Sequence, residues 1–269
     1  MYAKKSLGQH FLRSERAIET IVDAGDLSVM DTVLEIGPGE GVLTHALIDT
    51  GAKVIAVEKD DDLFAFLGEK FIDETSTGQL QLVHGDILEF ESDEFNKIVA
   101  NIPYNITGAV IRKFLSADHQ PERIMLLVQK EVAERIVAKG DKPFDSAQGK
   151  ESILSISVKA YGIPRYVEKV LAGSFVPAPR VDSAIICIED ISKDFFTNFG
   201  EEEFFTMLRA GFHAKRKKLS SNLSELYPKE MVKNAFHELS LDENTRAEDV
   251  KLDIWQQIGQ KLLTNSKNS

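Results

Sequence analysis

Asn101-Ile102-Pro103-Tyr104 joins a polar amide, a backbone stiffened by proline and an aromatic ring within four residues. This combination can grip a planar amine. The Asn101 side-chain oxygen and the Ile102 carbonyl can accept its two N–H bonds while Tyr104 stacks on the attached ring, an interaction worth about 1–3 kcal/mol per base. The exocyclic amine of adenine is a weak nucleophile because its lone pair is delocalised. Drawing both N–H bonds towards acceptors localises that pair, and the work left is alignment and electrostatics. No strong general base is required, since the substituted nitrogen is cationic and its proton can leave to water. Phe175, ahead of Pro177 and Pro179, is a candidate for the opposite face of a base sandwich.

A second set of residues suits a nucleotide-type cofactor. Gly37, Gly39 and Gly41 lie in Glu35-Ile36-Gly37-Pro38-Gly39-Glu40-Gly41, where glycines permit a sharp turn and close approach of a ligand. A dinucleotide site would space its third glycine one position later, and Glu40 would repel a pyrophosphate at the helix start, so NAD is disfavoured. Glu58, after the next apolar run, can accept both hydroxyls of a ribose, and Asp86, in His84-Gly85-Asp86-Ile87, can accept an adenine amine. S-adenosylmethionine fits this set best: it has adenosine and a sulfonium cation but no phosphate, so acidic surroundings attract it.

The elements that must position these groups are legible in the hydrophobic pattern. Short β-branched or aliphatic runs at 32–36, 53–57, 80–83, 97–100 and 124–129 alternate with helical and loop segments, as in a parallel sheet covered on both faces. Runs at 166–171 and 184–188 would complete seven strands, whereas 152–160 fits either a helix or a buried strand. Helices are expected at 43–49 and 60–71, and the segment 128–139 runs from strand into helix. From about residue 193 only helices are expected, at 201–213, 215–226, 230–239 and 250–263. The reading is an α/β catalytic domain over 1–192 and a small helical domain over 193–269, with a polar loop at 141–150 and a frayed tail at 266–269.

Composition narrows the setting. A single cysteine, Cys187, excludes an intrachain disulfide framework and a multi-cysteine zinc site; no metal is expected. The apolar runs are too short to span a bilayer and the first residues lack a secretory apolar core, so a cytoplasmic, membrane-free protein is expected. Net charge is −11, yet residues 58–94 carry twelve acidic and two basic side chains, which accounts for nearly all of the excess. Basic clusters at Lys4, Lys5, Arg13 and Arg16 and at 213–218 (HAKRKK) can therefore still meet phosphates.

The strings KKSLGQHFL (4–12), VLEIGPGEGVLT (33–44), AVEKD (56–60), HGDIL (84–88), NIPYNIT (101–107), LLVQKEVAERI (126–136) and FVPAPRVDSA (175–184) closely resemble those of the small-subunit rRNA adenine dimethyltransferases of the KsgA type. The likeness continues through AGFHAKRKKLSSNL (210–223) and TRAEDV (245–250). It implies a Rossmann-like, seven-stranded class I methyltransferase sheet with a C-terminal helical domain that contributes to rRNA binding. It also implies transfer of four methyl groups from S-adenosylmethionine to two adjacent adenosines in the 3′-terminal hairpin of 16S rRNA, within the pre-30S particle, by a monomer. The family's cofactor contacts fall on His10, Leu12, Gly37, Glu58, Asp86 and Asn101, and its base-handling residues on Asn101, Ile102, Pro103, Tyr104 and Phe175. His10 stands where members often have asparagine, and the overall acidity departs from most relatives. Two rivals are a 23S rRNA adenine methyltransferase of the macrolide-resistance type, disfavoured by Val181-Asp182-Ser183-Ala184 and Gln129-Lys130-Glu131-Val132, and a noncatalytic assembly factor of the small subunit.

Overall fold

The computed structural model describes residues 9–138 and 150–264. Lys4 and Lys5, the expected loop at 141–150 except Lys150, and the tail at 266–269 lie outside these residues. The chain divides into two compact units, one from Met1–Ala133 with Ile163–Ile191 and the other from Glu134–Gly162 with Ser192–Ser269. The helical unit thus takes a segment ahead of the expected boundary at 193 as well as everything after it.

In the first unit the elements run β1 (Phe11–Leu12), α1 (Glu15–Gly25), β2 (Thr32–Ile36), α2 (Val42–Asp49), β3 (Lys53–Glu58), α3 (Asp61–Lys70), α4 (Ile72–Thr77), β4 (Leu80–His84), β5 (Lys97–Asn101), α5 (Thr107–Ser116) and β6 (Arg123–Gln129). The chain leaves this unit within α6 (Lys130–Val137), passes through α7 (Ile153–Lys159), and returns as β7 (Ile163–Val170), β8 (Phe175–Val176) and β9 (Ser183–Glu189). Seven strands form one sheet in the order β4-β3-β2-β5-β6-β9-β7, with β9 antiparallel to both neighbours. The strands β2 to β6 pair in parallel. Apolar side chains along β2, β3, β5 and β6 are buried almost without interruption, as a sheet covered on both faces requires. The strand order reverses between β2 and β5, and a parallel sheet opens its ligand crevice at the carboxyl ends of strands at such a point.

At the opposite end of β5 a buried polar cluster anchors the sheet. Lys97, 8% exposed, donates to the Asp26 carbonyl and, at 3.1 Å, to Asp31. Asp31 also accepts from Asn96 at 2.8 Å and from the Ser28 amide at 2.7 Å, and these bonds hold its carboxyl below the usual range against the upward push of burial. A separate two-stranded ribbon pairs β1 with β8, Leu12 opposite Phe175.

The second unit contains α7, α8 (Glu201–Gly211), α9 (Leu219–Leu223), α10 (Lys229–Glu238) and α11 (Leu252–Leu263). The ambiguous segment near 152–160 is a helix: Ser152 and Ser155 exchange side-chain and backbone bonds in a capping box. Trp255 is fully buried and stacks on Phe212 with centroids 5.7 Å apart. The helix expected from 215 starts only at Leu219, so the basic residues lie on a turn. Buried Asn222 holds that turn, donating to the Gly211 carbonyl at 2.7 Å and the Ala214 carbonyl at 3.2 Å. Among the described residues no helix is long and apolar enough to cross a membrane.

Candidate active site

One cavity of about 340 Å³ opens at the carboxyl ends of β2, β3 and β5. Its wall is made by the glycine loop after β2, by Glu58 at the end of β3 and Lys59 beyond it, by Asp86, by residues 101–106 from the end of β5 onward and by residues 9–12 around β1. The volume lies within the range of ordinary small-ligand sites.

The glycine loop works as its composition suggests. Gly37 and Gly41 adopt φ of 68° and 73°, a left-handed conformation that side chains resist. The Gly37 amide donates to the Val57 carbonyl at 3.0 Å, which ties the loop to β3. Glu58 is 6% exposed and accepts the Gly39 amide at 3.2 Å and the Asp60 amide at 2.9 Å. Burial raises the Glu58 carboxyl, and these amides pull it back part of the way. The Gly39 amide is thus directed at a carboxylate rather than left for a phosphate, which agrees with the expected exclusion of a pyrophosphate. Asp60 caps α3, accepting from Asp62 and Leu63, and takes a 3.2 Å bond from Gln9. Asp86 is paired with Lys59 at 2.6 Å, and that lysine holds the Asp86 carboxyl below the usual range.

At the other end of the cavity Asn101 closes β5 and donates its Nδ2 to the His10 carbonyl at 3.2 Å. A carbonyl can only accept, so the amide orientation is fixed and Asn101 Oδ1 remains as the acceptor. Tyr104, half-buried, bonds through its hydroxyl to Ser183 Oγ at 2.8 Å. Burial pushes its phenol up, and the Ser183 bond partly opposes this. The His10 ring stacks against Tyr104 with centroids 6.0 Å apart and planes 22° apart. His10 Nδ1 lies 2.7 Å from the Pro177 carbonyl and must be the protonated nitrogen of that pair. Ile102 is buried, and it and Pro103 line the same cavity.

Of the expected residues, His10, Leu12, Gly37, Glu58, Asp86 and Asn101 to Tyr104 therefore share one cavity. Phe175 is not among the residues that line it. It is 2% exposed, paired on β8 with Leu12, and packed in the apolar core with Leu12, Ile18 and Val170, because an uncharged ring on a two-stranded ribbon gains most by facing the core. The ring beside Tyr104 is that of His10. The basic residues at the N-terminal side are also committed: Arg13 pairs with Glu40 of the glycine loop, and Arg16 with Glu168 at 2.7 Å.

Three features went unread in the sequence. Glu35 lines the cavity from β2 although it is 1% exposed; its only signal is a lone acid within an apolar strand. Lys70 of α3 donates to the Glu40 carbonyl at 2.7 Å and sits 5.0 Å from the Phe71 ring centre, bracing the loop from below. Ser183, buried on β9, fixes the Tyr104 hydroxyl.

The model of the ribosomal RNA adenine dimethylase family matches residues 1–263. The chain belongs to the ribosomal RNA adenine dimethylase family. It is 39% identical to the ribosomal RNA small subunit methyltransferase A of Dehalococcoides mccartyi, covering 95% of this chain and 87% of the relative. The protein of that name from Thermosynechococcus vestitus is 37% identical over 99% of both chains. Among solved structures, a dimethyladenosine transferase from Plasmodium falciparum superposes with a TM-score of 0.81 at 26% identity, covering 96% of this chain and 98% of the other. The 23S rRNA methyltransferase ErmE superposes with 0.73 at 28% identity, covering 94% and 99%. The fold is that of the Rossmann-like class I methyltransferases, and the chain is an rRNA adenine dimethyltransferase that uses S-adenosylmethionine. The cavity's chemistry fits this donor: carboxylates suited to hydroxyls and to positive charge line it, and a methyl group on Gly37 would meet no atom closer than the Asn101 carbonyl oxygen at 4.0 Å.

Proposed function

We propose that this enzyme dimethylates the N6 amines of two adjacent adenosines in the 3′-terminal hairpin of 16S rRNA, acting as a cytoplasmic monomer on the pre-30S particle. The observation that carries the reading is the shared cavity, in which Glu58 and Asn101 face one space from the ends of β3 and β5, the strands on either side of β2. Glu58 would accept the ribose hydroxyls of the donor, Asp86 its adenine amine, and the Gly37 turn would permit its close approach, with His10, Leu12 and Asn101 completing the wall. When bound, S-adenosylmethionine supplies an electrophilic methyl group on a sulfonium cation.

The chain's own residues then orient the nucleophile. Asn101 Oδ1, free because Nδ2 is held by His10, accepts one N–H of the target amine, and the Ile102 carbonyl accepts the other. Pro103 stiffens the turn, and Tyr104, anchored by Ser183, offers its ring to the base. The methylated nitrogen loses its proton to water. The adenine must leave its stack to enter, at a cost of a few kcal/mol that is smallest in a hairpin loop. In the helical unit, residues 193–269 would contribute rRNA binding through the exposed turn carrying Lys215, Arg216 and Lys218.

Incubation with labelled methyl donor and undermethylated 30S subunits, followed by mapping of the modified nucleotides, tests the reading. Label at two adjacent adenosines near the 3′ end of 16S rRNA is expected; label in 23S rRNA alone would overturn it in favour of the macrolide-resistance activity. Asn101→Ala should abolish transfer while leaving particle binding nearly intact. Reversal of the charges at 215–218 should weaken 30S binding.

A further inference from the structure

Glu35 lies within β2, inside the sheet and against the cofactor cavity. Its sheet neighbours are Ala56 on β3 and Val99 on β5, neither of which can compensate a charge. Both carboxyl oxygens are sealed from solvent and have no hydrogen-bond partner among the described residues. The Thr44 hydroxyl, on α2 beside it, is equally buried; it forms no well-aligned bond, yet it lies near enough to favour the carboxylate and is second only to burial in its influence on Glu35. Buried polar atoms without partners cost stability and are rare, so an apolar residue at 35 would serve the fold better. The charged groups that act on Glu35 are Glu58 from β3, which disfavours its ionisation, and Lys70 from α3, which favours it weakly. Lys70 is itself engaged with the Glu40 carbonyl and the Phe71 ring. Burial, the largest influence, pushes the Glu35 carboxyl up to about 8. Burial therefore favours the neutral form of this acid near pH 7.

We propose that Glu35 is the charge-reading residue of the cofactor cavity: protonated in the cofactor-free protein, it releases its proton when the cationic methyl donor binds and keeps more of it when the demethylated thioether product binds. This rests on the reading of the cavity as the donor site. The balance is simple. Glu35 carboxylic acid plus a sulfonium ligand gives Glu35 carboxylate beside the sulfonium, with one proton passed to buffer. Donor and product share adenosine and amino-acid groups and differ by one methyl and one positive charge, so comparing them isolates the effect of that charge. The residue thereby selects the donor over the product that accumulates during four successive transfers, and it does so without touching the reacting methyl.

The test is calorimetric binding of S-adenosylmethionine and S-adenosylhomocysteine to the intact protein, in two buffers of different protonation enthalpy, between pH 6.5 and 8. Wild type is expected to release close to one proton per donor bound near pH 7 and clearly fewer per product. Donor affinity should rise up to tenfold per pH unit across pH 6.5–7.5, more steeply than product affinity. In Glu35→Gln the proton release and the slope should vanish and the preference for donor over product should shrink, with product binding retained as the sign of a folded cavity. Equal proton counts for the two ligands in wild type overturn the proposal, and this result stands even if the variant fails to fold. Release that persists in Glu35→Gln assigns the proton to Glu58 and also overturns it. If neither ligand binds, the reading of the cavity as the donor site falls, and the proposal with it.

Discussion

Gly37 and Gly41 share a loop and a left-handed backbone, yet the structure predicts opposite consequences for replacing them with alanine. A Cβ on Gly41 would lie 2.5 Å from Phe71 Cε2 and 2.9 Å from Leu67 Cδ2. Phe71 and Leu67 are 2% and 0% exposed, so neither can move aside into solvent. To the left-handed strain of about 1–2 kcal/mol must be added an overpacking cost of about 1–3 kcal/mol, giving a loss of about 2–5 kcal/mol for Gly41→Ala. A Cβ on Gly37 meets nothing closer than the Asn101 carbonyl oxygen at 4.0 Å, so only the strain of about 1–2 kcal/mol applies to Gly37→Ala. That methyl, however, would occupy the cavity wall. Urea denaturation at constant m-value should therefore rank Gly41→Ala as the less stable variant, while donor titration should show the larger affinity loss, about tenfold or more, for Gly37→Ala. Equal destabilisation of the two variants, or wild-type donor affinity in Gly37→Ala, would refute the reasoning.

Three further outcomes follow from other parts of the structure. Lys97→Met strands the buried Asp31 carboxylate; because Asn96 and Ser28 still bond it, the loss should be near the lower end of the range for broken buried pairs, about 3 kcal/mol by denaturant titration at pH 7. Glu225 pairs with Lys217 at 3.1 Å on the basic turn, so Glu225→Gln should free that lysine, tighten rRNA binding at low salt and steepen the slope of log affinity against log salt by about 0.7–0.9. For the cofactor-free protein, the unfolded chain ionises Glu35 near the ordinary glutamate value of 4.5 whereas burial pushes the folded chain's carboxyl up to about 8. This group's contribution therefore falls as pH rises between those values, by roughly 5 kcal/mol at most, and denaturation at pH 5 and pH 8 should show a smaller drop for Glu35→Gln.

The strands and both chemical clusters were legible in the sequence because they are local: apolar runs of five or six residues, glycines at fixed spacing, and four consecutive residues after β5. What escaped is non-local. The two-residue strands β1 and β8 are too short to show a period, and their partners lie far apart in the chain. Phe175 reads as a free aromatic beside prolines, and only that pairing turns its ring into the core. Lysine and arginine favour helices, so 215–218 reads as one; Asn222 and the bond from the Leu219 amide to the Thr245 carbonyl hold a turn instead. The amphipathic helix α1 went unread, although Ser14 caps it and Ile18 and Ile21 are buried beneath it. Glu35 is visible as a letter but not as a buried acid, since the sheet around it is assembled from strands on both sides.

The pairing of β1 with β8 has a consequence for synthesis. Asn101 is oriented by a carbonyl of the segment that β8 holds in place, so the glycine loop, Glu58 and Asn101 all leave the ribosome before the element that fixes the amide exists. At roughly 5–20 residues per second, on the order of ten seconds separate the emergence of Asn101 from that of Phe175. A translation product stopped in that interval lacks both the strand that holds residues 9–12 of the donor wall and the aligned acceptor for the amine. Both halves of the site are thus completed by the same late-made ribbon strand.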